Sequence, residues 1–377
     1  MMLRARMGIG IVAILGMVAL LVACAPAAAP TATPAPKATA APPPAATPTA
    51  PAAKPSPKPS ALEQLIEGSR KEGVVRANLS SSLGEKGAQR LTEALNKKYD
   101  LNLKLEYTPA VKMEAVVAQV VTELQTGGAP SFDILNGTLQ HFMDMRQRGM
   151  LSTFDWVGAF PHVPRELVFF DGGWVGFASE YNLPAYNPNL VKPADAPRKW
   201  EDLLDPKWKG KLVMHNSVSA WIRLTETWGE EKVTALLQGL AKQDPVFVSA
   251  PQVVPRVTSG EYPLAAPVLA SMFFDAQAKG APIRFAEEVK PMVSMEYGLV
   301  VPQRAKNPNA ARLLVAFTLT PEAQRIWWEE GKFASSLVPG PLADFVKGKD
   351  VATASLDFVT QNQVRLEDKY LKLVGLK

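Results

Sequence analysis

Short apolar segments and amphipathic helical segments alternate along residues 61–377, and this alternation limits the fold more than any other feature. Segments typical of β-strands occur at 74–79, 102–107, 132–135, 211–215, 246–249, 282–285 and 295–301. In residues 111–126, apolar side chains recur every three or four positions until Gly127, which predicts a helix that ends there. Alternating strands and helices with short connections predict an α/β fold with mostly parallel sheets. Such sheets bind ligands at the carboxyl ends of their strands.

The first 24 residues have the pattern of an export signal. Arg4 and Arg6 precede an uninterrupted run of apolar and small residues that ends at Cys24. The run is about as long as a membrane span, so a permanent anchor is the alternative interpretation. Residues 21–24, LVAC, resemble the lipobox of bacterial lipoproteins, in which the signal is cut before a cysteine that then carries lipid. Cys24 is the only cysteine. We therefore predict a signal peptide at 1–24 and an extracytoplasmic protein anchored to the membrane by lipidated Cys24.

Residues 25–60 contain only Ala, Pro, Thr, Ser and Lys, and they hold 12 of the 33 prolines of the chain. Because this segment has no large apolar side chain to bury, it predicts a disordered linker. The signal and the linker together carry five basic and no acidic residues, which leaves 36 basic and 36 acidic residues in 61–377. A body without excess charge has no electrostatic attraction for polyanions, and this excludes nucleic acid as a partner.

The sequence gives no positive sign of catalysis. It has no Gly-x-Ser-x-Gly, no His-Glu-x-x-His, no paired cysteines and no Gly-rich phosphate-binding or dinucleotide-binding fingerprint. The three histidines are His141, His162 and His215, and none has an adjacent nucleophile or base in the sequence, which favours surface or structural roles. We therefore expect no catalytic residues, no cofactor and no protein-bound metal, and a function other than that of an enzyme.

Small polar residues follow three of the predicted strands at the point where a helix begins. These residues are Ser80, Ser81 and Ser82; Asn136, Gly137 and Thr138; and Ser217 and Ser219. Each group can be an ordinary helix cap, because Ser, Thr and Asn accept hydrogen bonds from first-turn amides. Helix starts also attract anions through free N–H groups and the helix dipole. Three such edges together favour a shared polar cleft, whose ligand the residues do not identify.

Two segments resemble the bacterial extracellular solute-binding proteins of ABC importers, and within them the branch that binds ferric ion. Residues 186–214 contain, in the order and spacing typical of that branch, Tyr-Asn, Leu-Val-Lys-Pro, Trp-x-Asp-Leu and Asp-Pro-Lys-Trp-Lys-Gly. Residues 298–324 contain its late strand, followed by an Asn-Pro-x-Ala-Ala helix and a Pro-Glu-Ala-Gln helix. The resemblance covers most of 73–330. It implies a two-lobed periplasmic-binding-protein fold of type 2, with two crossover strands that form a hinge.

The resemblance also implies a division of the chain and a set of partners. Lobe 1 would comprise 61–178 and 292–377, and lobe 2 would comprise 179–291, with crossings near 177–183 and 288–295. The lobes would close on a small-molecule solute. The implied partners are the membrane subunits of an ABC importer and the membrane itself through the N-terminal lipid, with the protein as a monomer.

The ligand of the ferric branch is not supported by the residues at the corresponding positions. Ferric members use adjacent tyrosines, and this chain has Pro267 and Val268 near those positions and no Tyr-Tyr anywhere. Ferric ion prefers anionic oxygen ligands, so we expect an organic or oxyanionic solute instead. The resemblance places Tyr186, Trp221, Pro267 and Val268 at the cleft beside the eight small polar residues. A receptor for ferric iron or another metal, and a surface scaffold lipoprotein, remain the alternatives.

Overall fold

A computed structural model describes residues 59–377. The predicted signal peptide, Cys24 and all of the predicted linker before Pro59 therefore lie outside the described residues. Residues 57–377 form one compact unit that contains every described strand and hydrophobic core, so we expect this part to fold without the residues that precede it. Within the described part, no helix combines the length and apolar character needed to cross a membrane.

Helices and strands alternate through most of the body. The helices are α1 (Ala61–Glu72), α2 (Gly84–Tyr99), α3 (Met113–Gln125), α4 (Met143–Gln147), α5 (Trp156–Ala159), α6 (Ser219–Trp228), α7 (Glu230–Ala241), α8 (Ala250–Thr258), α9 (Ala270–Ala278), α10 (Pro308–Thr318), α11 (Pro321–Gly331), α12 (Pro341–Val346) and α13 (Leu356–Leu373). The strands are β1 (Val74–Ser80), β2 (Lys104–Ala110), β3 (Ile134–Gly137), β4 (Val168–Phe169), β5 (Trp174–Tyr186), β6 (Leu212–His215), β7 (Val246–Val248), β8 (Leu264–Leu269), β9 (Arg284–Phe285), β10 (Met292–Val300) and β11 (Val351–Ala352).

Local sequence signals set the ends of α1. The Ser60 hydroxyl accepts the Glu63 N–H at 3.2 Å, and the Glu63 carboxylate accepts the Ser60 N–H at 2.6 Å, which is a capping box. The helix ends at Gly73, whose φ of 67° lies in the left-handed region that glycine adopts without strain. Both ends agree with the sequence pattern, because each depends on contacts within a few residues.

One mixed sheet runs through the body in the order β2-β1-β3-β10-β5-β8-β6-β7. The outer pairs, such as β1 with β2 and β6 with β7, are parallel, whereas β5 and β10 pair antiparallel with their neighbours in this order. The 13 residues of β5 are all buried, and Asn182 is opposite both Val293 of β10 and Leu269 of β8. Strand β5 therefore connects the two parallel ends of the sheet.

The hydrophobic core has two large parts. One contains side chains of α1, β1, α2, α10 and α11, and the other contains side chains of β6, α6, α7, β8 and α8. The last helix, α13, contributes Leu366 and Tyr370 to the second part, and the Tyr370 hydroxyl lies 2.8 Å from Thr225 Oγ1. The division into lobes at 61–178, 179–291 and 292–377 stays a prediction.

A test of the β5–β10 pairing uses Gly298. A methyl group at Gly298 would overlap the indole ring of Trp174, a fully buried side chain whose Nε1 donates to the Gly137 carbonyl at 3.2 Å. We expect Gly298→Ala to lower the free energy of unfolding by about 1–3 kcal/mol, because the ring has no space to move into. Gly340→Ala is the control, since its backbone is extended and a methyl group there meets only Val338 O at 3.9 Å. Equal urea midpoints for both variants would contradict this packing.

Candidate functional site

A cavity of about 850 Å³ lies at the face of the central strands. Its walls come from α3, the segment after β3, the junction between β6 and α6, the end of β8 and one face of α13. Asn182 of β5 and Met295 and Tyr297 of β10 also line it. The volume falls in the range of small-molecule sites, and the cavity is formed by elements distant in sequence, which makes it the candidate site.

Four of the sequence-predicted site residues line this cavity: Thr138, Ser217, Ser219 and Pro267. The Ser217 hydroxyl donates to Ser219 Oγ at 3.0 Å and accepts the Ser219 N–H at 3.3 Å. The two serines therefore organise the first turn of α6 at the cavity wall.

Asn136 and Gly137 lie directly before Thr138 in β3 and are buried. The Asn136 side-chain nitrogen lies 3.9 Å from Met113 Sδ, and among the described residues Asn136 Oδ1 has no hydrogen-bond partner. A Cβ at Gly137 would meet the ring of Phe142 at 3.0 Å and the side chain of His141 at 3.2 Å. These residues shape the backbone beneath the cavity, and only Thr138 lines it.

Ser80, Ser81 and Ser82 lie away from the cavity. Ser80 Oγ is 2.9 Å from Ser82 Oγ, and the Ser80 carbonyl accepts the Tyr107 hydroxyl at 3.0 Å. The turn that they form packs against α11, where a Cβ at Gly331 would meet Ser82 O at 2.8 Å. Their structural role here is a capped turn between β1 and α2.

The remaining predicted site residues also lie outside the cavity. Trp221 is 1 % exposed and packs edge-to-face on Trp200, with ring centroids 5.2 Å apart. Val268 is 1 % exposed and lies opposite Leu183 in the sheet. Tyr186 is also buried, and it lines a separate pocket near Arg284. The side chains of these three residues pack in the hydrophobic core.

Arg223 is a buried, cavity-lining residue that the sequence motifs missed. It lies one helical turn after Ser219 on α6, lines the cavity and is 7 % exposed. Its Nη1 donates to the Ser219 carbonyl at 3.0 Å, and that is its only hydrogen bond among the described residues. Burial lowers the pKa of the guanidinium, yet an arginine this basic stays charged. The four-residue spacing from Ser219 is the signal that could have found it.

His141 is held by a local capping arrangement. Its Nδ1 accepts the Thr138 N–H at 3.1 Å and lies 2.8 Å from Thr138 Oγ1, while Nε2 lies 3.1 Å from a Glu114 carboxylate oxygen. Nδ1 accepts from the backbone, so the ring proton is on Nε2 and points to Glu114. The Thr138 hydroxyl, the His141 imidazole and the Glu114 carboxylate thus follow one another as the groups of a catalytic triad do. However, His141 Nδ1, the nitrogen that would take the proton from the Thr138 hydroxyl, already accepts a hydrogen bond from the Thr138 N–H.

The other histidines have separate environments. His162 Nε2 lies 2.9 Å from the Ala316 carbonyl, and His162 does not line the cavity. His215 lines the cavity at the end of β6, and burial lowers its pKa. Among residues 59–377, no group of three or more His, Cys, Asp or Glu side chains has an arrangement that could hold a metal ion.

Two carboxyl groups lie on the central strands. Glu180 of β5 accepts the Ser271 N–H at 3.0 Å and the Ser271 hydroxyl at 2.6 Å, but burial still raises its pKa to about 7. Glu296 of β10 accepts the Ser179 hydroxyl at 2.8 Å, and burial raises its pKa to about 7 as well. Burial, with a smaller effect of the Glu180 charge, raises the pKa of Tyr297 to about 12, so the phenol stays neutral.

The comparisons with known proteins identify a family and a fold. The family model described as bacterial extracellular solute-binding protein matches residues 130–362. Iron uptake protein A2 of Synechocystis sp. is 24% identical over 262 residues, which are 60% of this chain and 71% of that protein. Iron uptake protein A1 of the same organism is 32% identical over 110 residues, which are 26% of this chain and 29% of that protein.

Three solved structures share the fold of the body. They are iron-bound HitA from Pseudomonas aeruginosa (TM-score 0.63, 18% identity, covering 80% of this chain and 99% of that one), Trichodesmium IdiA (FutA) with iron and citrate (0.63, 21%, 81% and 100%), and AfuA from Actinobacillus pleuropneumoniae with fructose-6-phosphate (0.61, 19%, 81% and 98%). The architecture is therefore that of type 2 periplasmic binding proteins, which confirms the predicted fold class.

A pH test follows from Glu296. Between its usual value of 4.5 and its folded value of about 7, the folded protein holds a proton that the unfolded chain releases. Stability therefore falls as pH rises through this window. We expect wild type to lose about 1–3 kcal/mol more stability than Glu296→Gln between pH 5 and pH 8. Denaturant unfolding at both pH values measures this, with Glu166→Gln as the exposed control. Parallel pH profiles for wild type and Glu296→Gln would exclude the buried acid.

Proposed function

We propose that this chain, which belongs to the family of bacterial extracellular solute-binding proteins, captures a small organic anion in the described cavity and delivers it to an ABC importer. The observation that carries the proposal is Arg223, a charged side chain buried in the cavity wall without a carboxylate partner in the described part of the chain. A buried charge is costly unless it is paired, so an anionic solute is the natural partner.

The first turn of α6 supports the same assignment. Ser217 and Ser219 line the cavity on the side of Arg223, and α6 begins at Ser219. The Ser217 hydroxyl and the Ser219 N–H already donate within this turn, which leaves the Ser219 hydroxyl as a donor for a carboxylate or phosphate. The start of the helix also favours an anion, and a guanidinium adds charge-assisted hydrogen bonds. The solute anion would therefore sit between the α6 turn and Arg223.

Capture would involve the two central strands. Strands β5 and β10 carry cavity residues Asn182 and Tyr297, and their ranges overlap the segments 177–183 and 288–295, where we expect the crossovers. A solute that contacts both sides of the cavity favours the closed arrangement by its higher affinity for it. The membrane subunits of the importer would recognise that form, and lipidated Cys24 would hold the monomeric receptor at the membrane. Mass spectrometry of the Cys24 peptide tests the lipid directly.

The capping geometry of His141 supports a receptor without catalytic activity. In a hydrolase triad the imidazole nitrogen next to the hydroxyl is free to take its proton. Here the Thr138 N–H donates to that nitrogen at 3.1 Å. We therefore assign Thr138 and His141 to shaping the cavity wall.

A ferric cargo is the second candidate, favoured by the names of the two Synechocystis relatives and by the iron and citrate in the Trichodesmium structure. The carboxylates and histidines of this cavity do not form a three-ligand group within the described part of the chain, and Tyr297 supplies a neutral phenol. Iron would fit best as an anionic chelate held by Arg223. Titration with ferric citrate and with citrate alone, followed by calorimetry and visible absorption, separates the cargoes.

Arg223→Met is the decisive variant. Native mass spectrometry of gently purified residues 57–377 should show a co-purified anion in the wild type and none in the variant, because the variant loses the charged hydrogen bonds. We expect about a hundredfold weaker affinity for the identified solute. The empty variant should be as stable as the wild type or more so, since an unpaired buried charge is removed.

Arg325→Met is the matched control, because Arg325 is exposed on α11 and away from the cavity. It should keep the co-purified solute and its affinity. Undiminished binding by Arg223→Met would refute an anion at this position. A co-purified cation or neutral solute would refute the anionic class.

A further inference from the structure

We propose that the solute is amphipathic, with an anionic head that meets Arg223 and an apolar body that lies along α3. This inference rests on the proposed function and narrows its substrate class. It excludes inorganic oxyanions and fully hydroxylated sugar phosphates as the preferred solutes. Three features of the cavity support the inference: the apolar side chains in its walls, the pairing of most other charged side chains that line it, and its volume.

The α3 wall of the cavity carries an apolar stripe beside the polar side chains of Glu114, Thr122 and Gln125. Met113, Val117 and Val121 recur every four residues, so they lie above one another on a single face, and all three line the cavity. Val117 is buried, whereas Met113 and Val121 remain partly exposed. Val117, Val120 and Leu124 belong to the core beneath the helix, and Val121 packs against that core. The α3 face therefore offers apolar surface that no described element covers fully.

Further apolar side chains come from other strands. Pro267 and Leu269 of β8 and Met295 of β10 line the same cavity, together with Ala220 of α6. Methionine side chains adapt their shape to an apolar ligand at low conformational cost. The cavity therefore has apolar groups on several sides and a single buried cation.

Most of the other charged side chains that line the cavity already have partners. Glu114 lies 3.1 Å from His141 Nε2, and Arg148 Nε donates to Asp144 at 2.7 Å. The Glu367 carboxylate accepts the Gln363 amide at 3.2 Å and disfavours an anion near α13. The anionic head is consequently directed to Arg223, and the rest of the solute meets the apolar side chains.

The volume indicates that the head alone does not fill the site. A cavity of about 850 Å³ suits a ligand of many non-hydrogen atoms. An inorganic anion would leave the apolar α3 face in contact with water. Each methylene group that enters an apolar site strengthens binding about fourfold, so an apolar body contributes substantially to affinity.

The test is a pair of chain-length series titrated into residues 57–377 by calorimetry. The probes are acetate, butanoate, hexanoate and octanoate, and methyl, butyl and hexyl phosphate. We expect affinity in at least one series to rise about fourfold per methylene until the cavity is full. Propyl phosphate should also bind more tightly than glycerol 3-phosphate, which has the same length but two hydroxyl groups.

Matched variants of α3 locate the apolar contact. Val121→Thr keeps the branched shape but places a hydroxyl group at the cavity wall, and should weaken hexyl phosphate or octanoate about fourfold or more while leaving methyl phosphate and acetate unchanged. Val116→Thr is the control, because Val116 is partly buried against the same core but does not line the cavity. Val121→Ala provides a second test if Val121→Thr unfolds.

The outcomes separate this inference from the proposed function. A flat chain-length series, tighter binding of glycerol 3-phosphate or equal effects of Val121→Thr and Val116→Thr would overturn the amphipathic class. If Arg223→Met still abolished binding of the short probes, the anion receptor would stand. Failure of every probe to bind the wild type would overturn the amphipathic class, whereas the anion receptor would fall only if no anion co-purified with the wild type or if Arg223→Met kept it.

Discussion

The pairing of β5 with two different groups of strands is the constraint on which the rest of the body depends. Its first half pairs with β10 and its second half with β8, and all 13 of its residues are buried. Both ends of the sheet join through this strand. Strand β5 and its neighbour β10 therefore form a common floor for the cavity. The cavity-lining elements on either side are positioned relative to that floor.

Electrostatics at this floor follow from burial. Burial raises the pKa of Glu180 and of Glu296 to about 7, so each carboxyl group is protonated about half of the time at neutral pH, while Arg223 keeps its charge because guanidinium is too basic to lose it. The same low-dielectric surroundings therefore weaken the negative charge of the carboxyl groups and leave the cation. Under the proposed function, this asymmetry favours an anionic solute in a body with balanced total charge.

Elements fixed by local contacts could be predicted from the sequence. The apolar repeat of α3 and strand β1 appear within a few residues of their predicted positions, and the capping box of α1 likewise depends only on neighbouring residues. Strand β5 was harder to recognise, because a strand buried on both faces lacks the alternation of polar and apolar residues. Helix α13 was not predicted either, although Leu366 and Tyr370 pack into the core beside α6.

The predicted set of site residues stays a prediction, and the structure shows where each of them lies. Thr138, Ser217, Ser219 and Pro267 line the cavity, but the equally suggestive Ser80, Ser81 and Ser82 form a turn elsewhere, since the sequence does not show which strand ends face one another. Arg223 looked like an ordinary helical residue because only tertiary packing reveals its burial. Under the proposed function, binding of the solute to this arginine also affects how long the folded receptor persists. A solute that neutralises it stabilises the folded state by mass action, so an occupied receptor resists proteolysis longer than an empty one in the same surroundings.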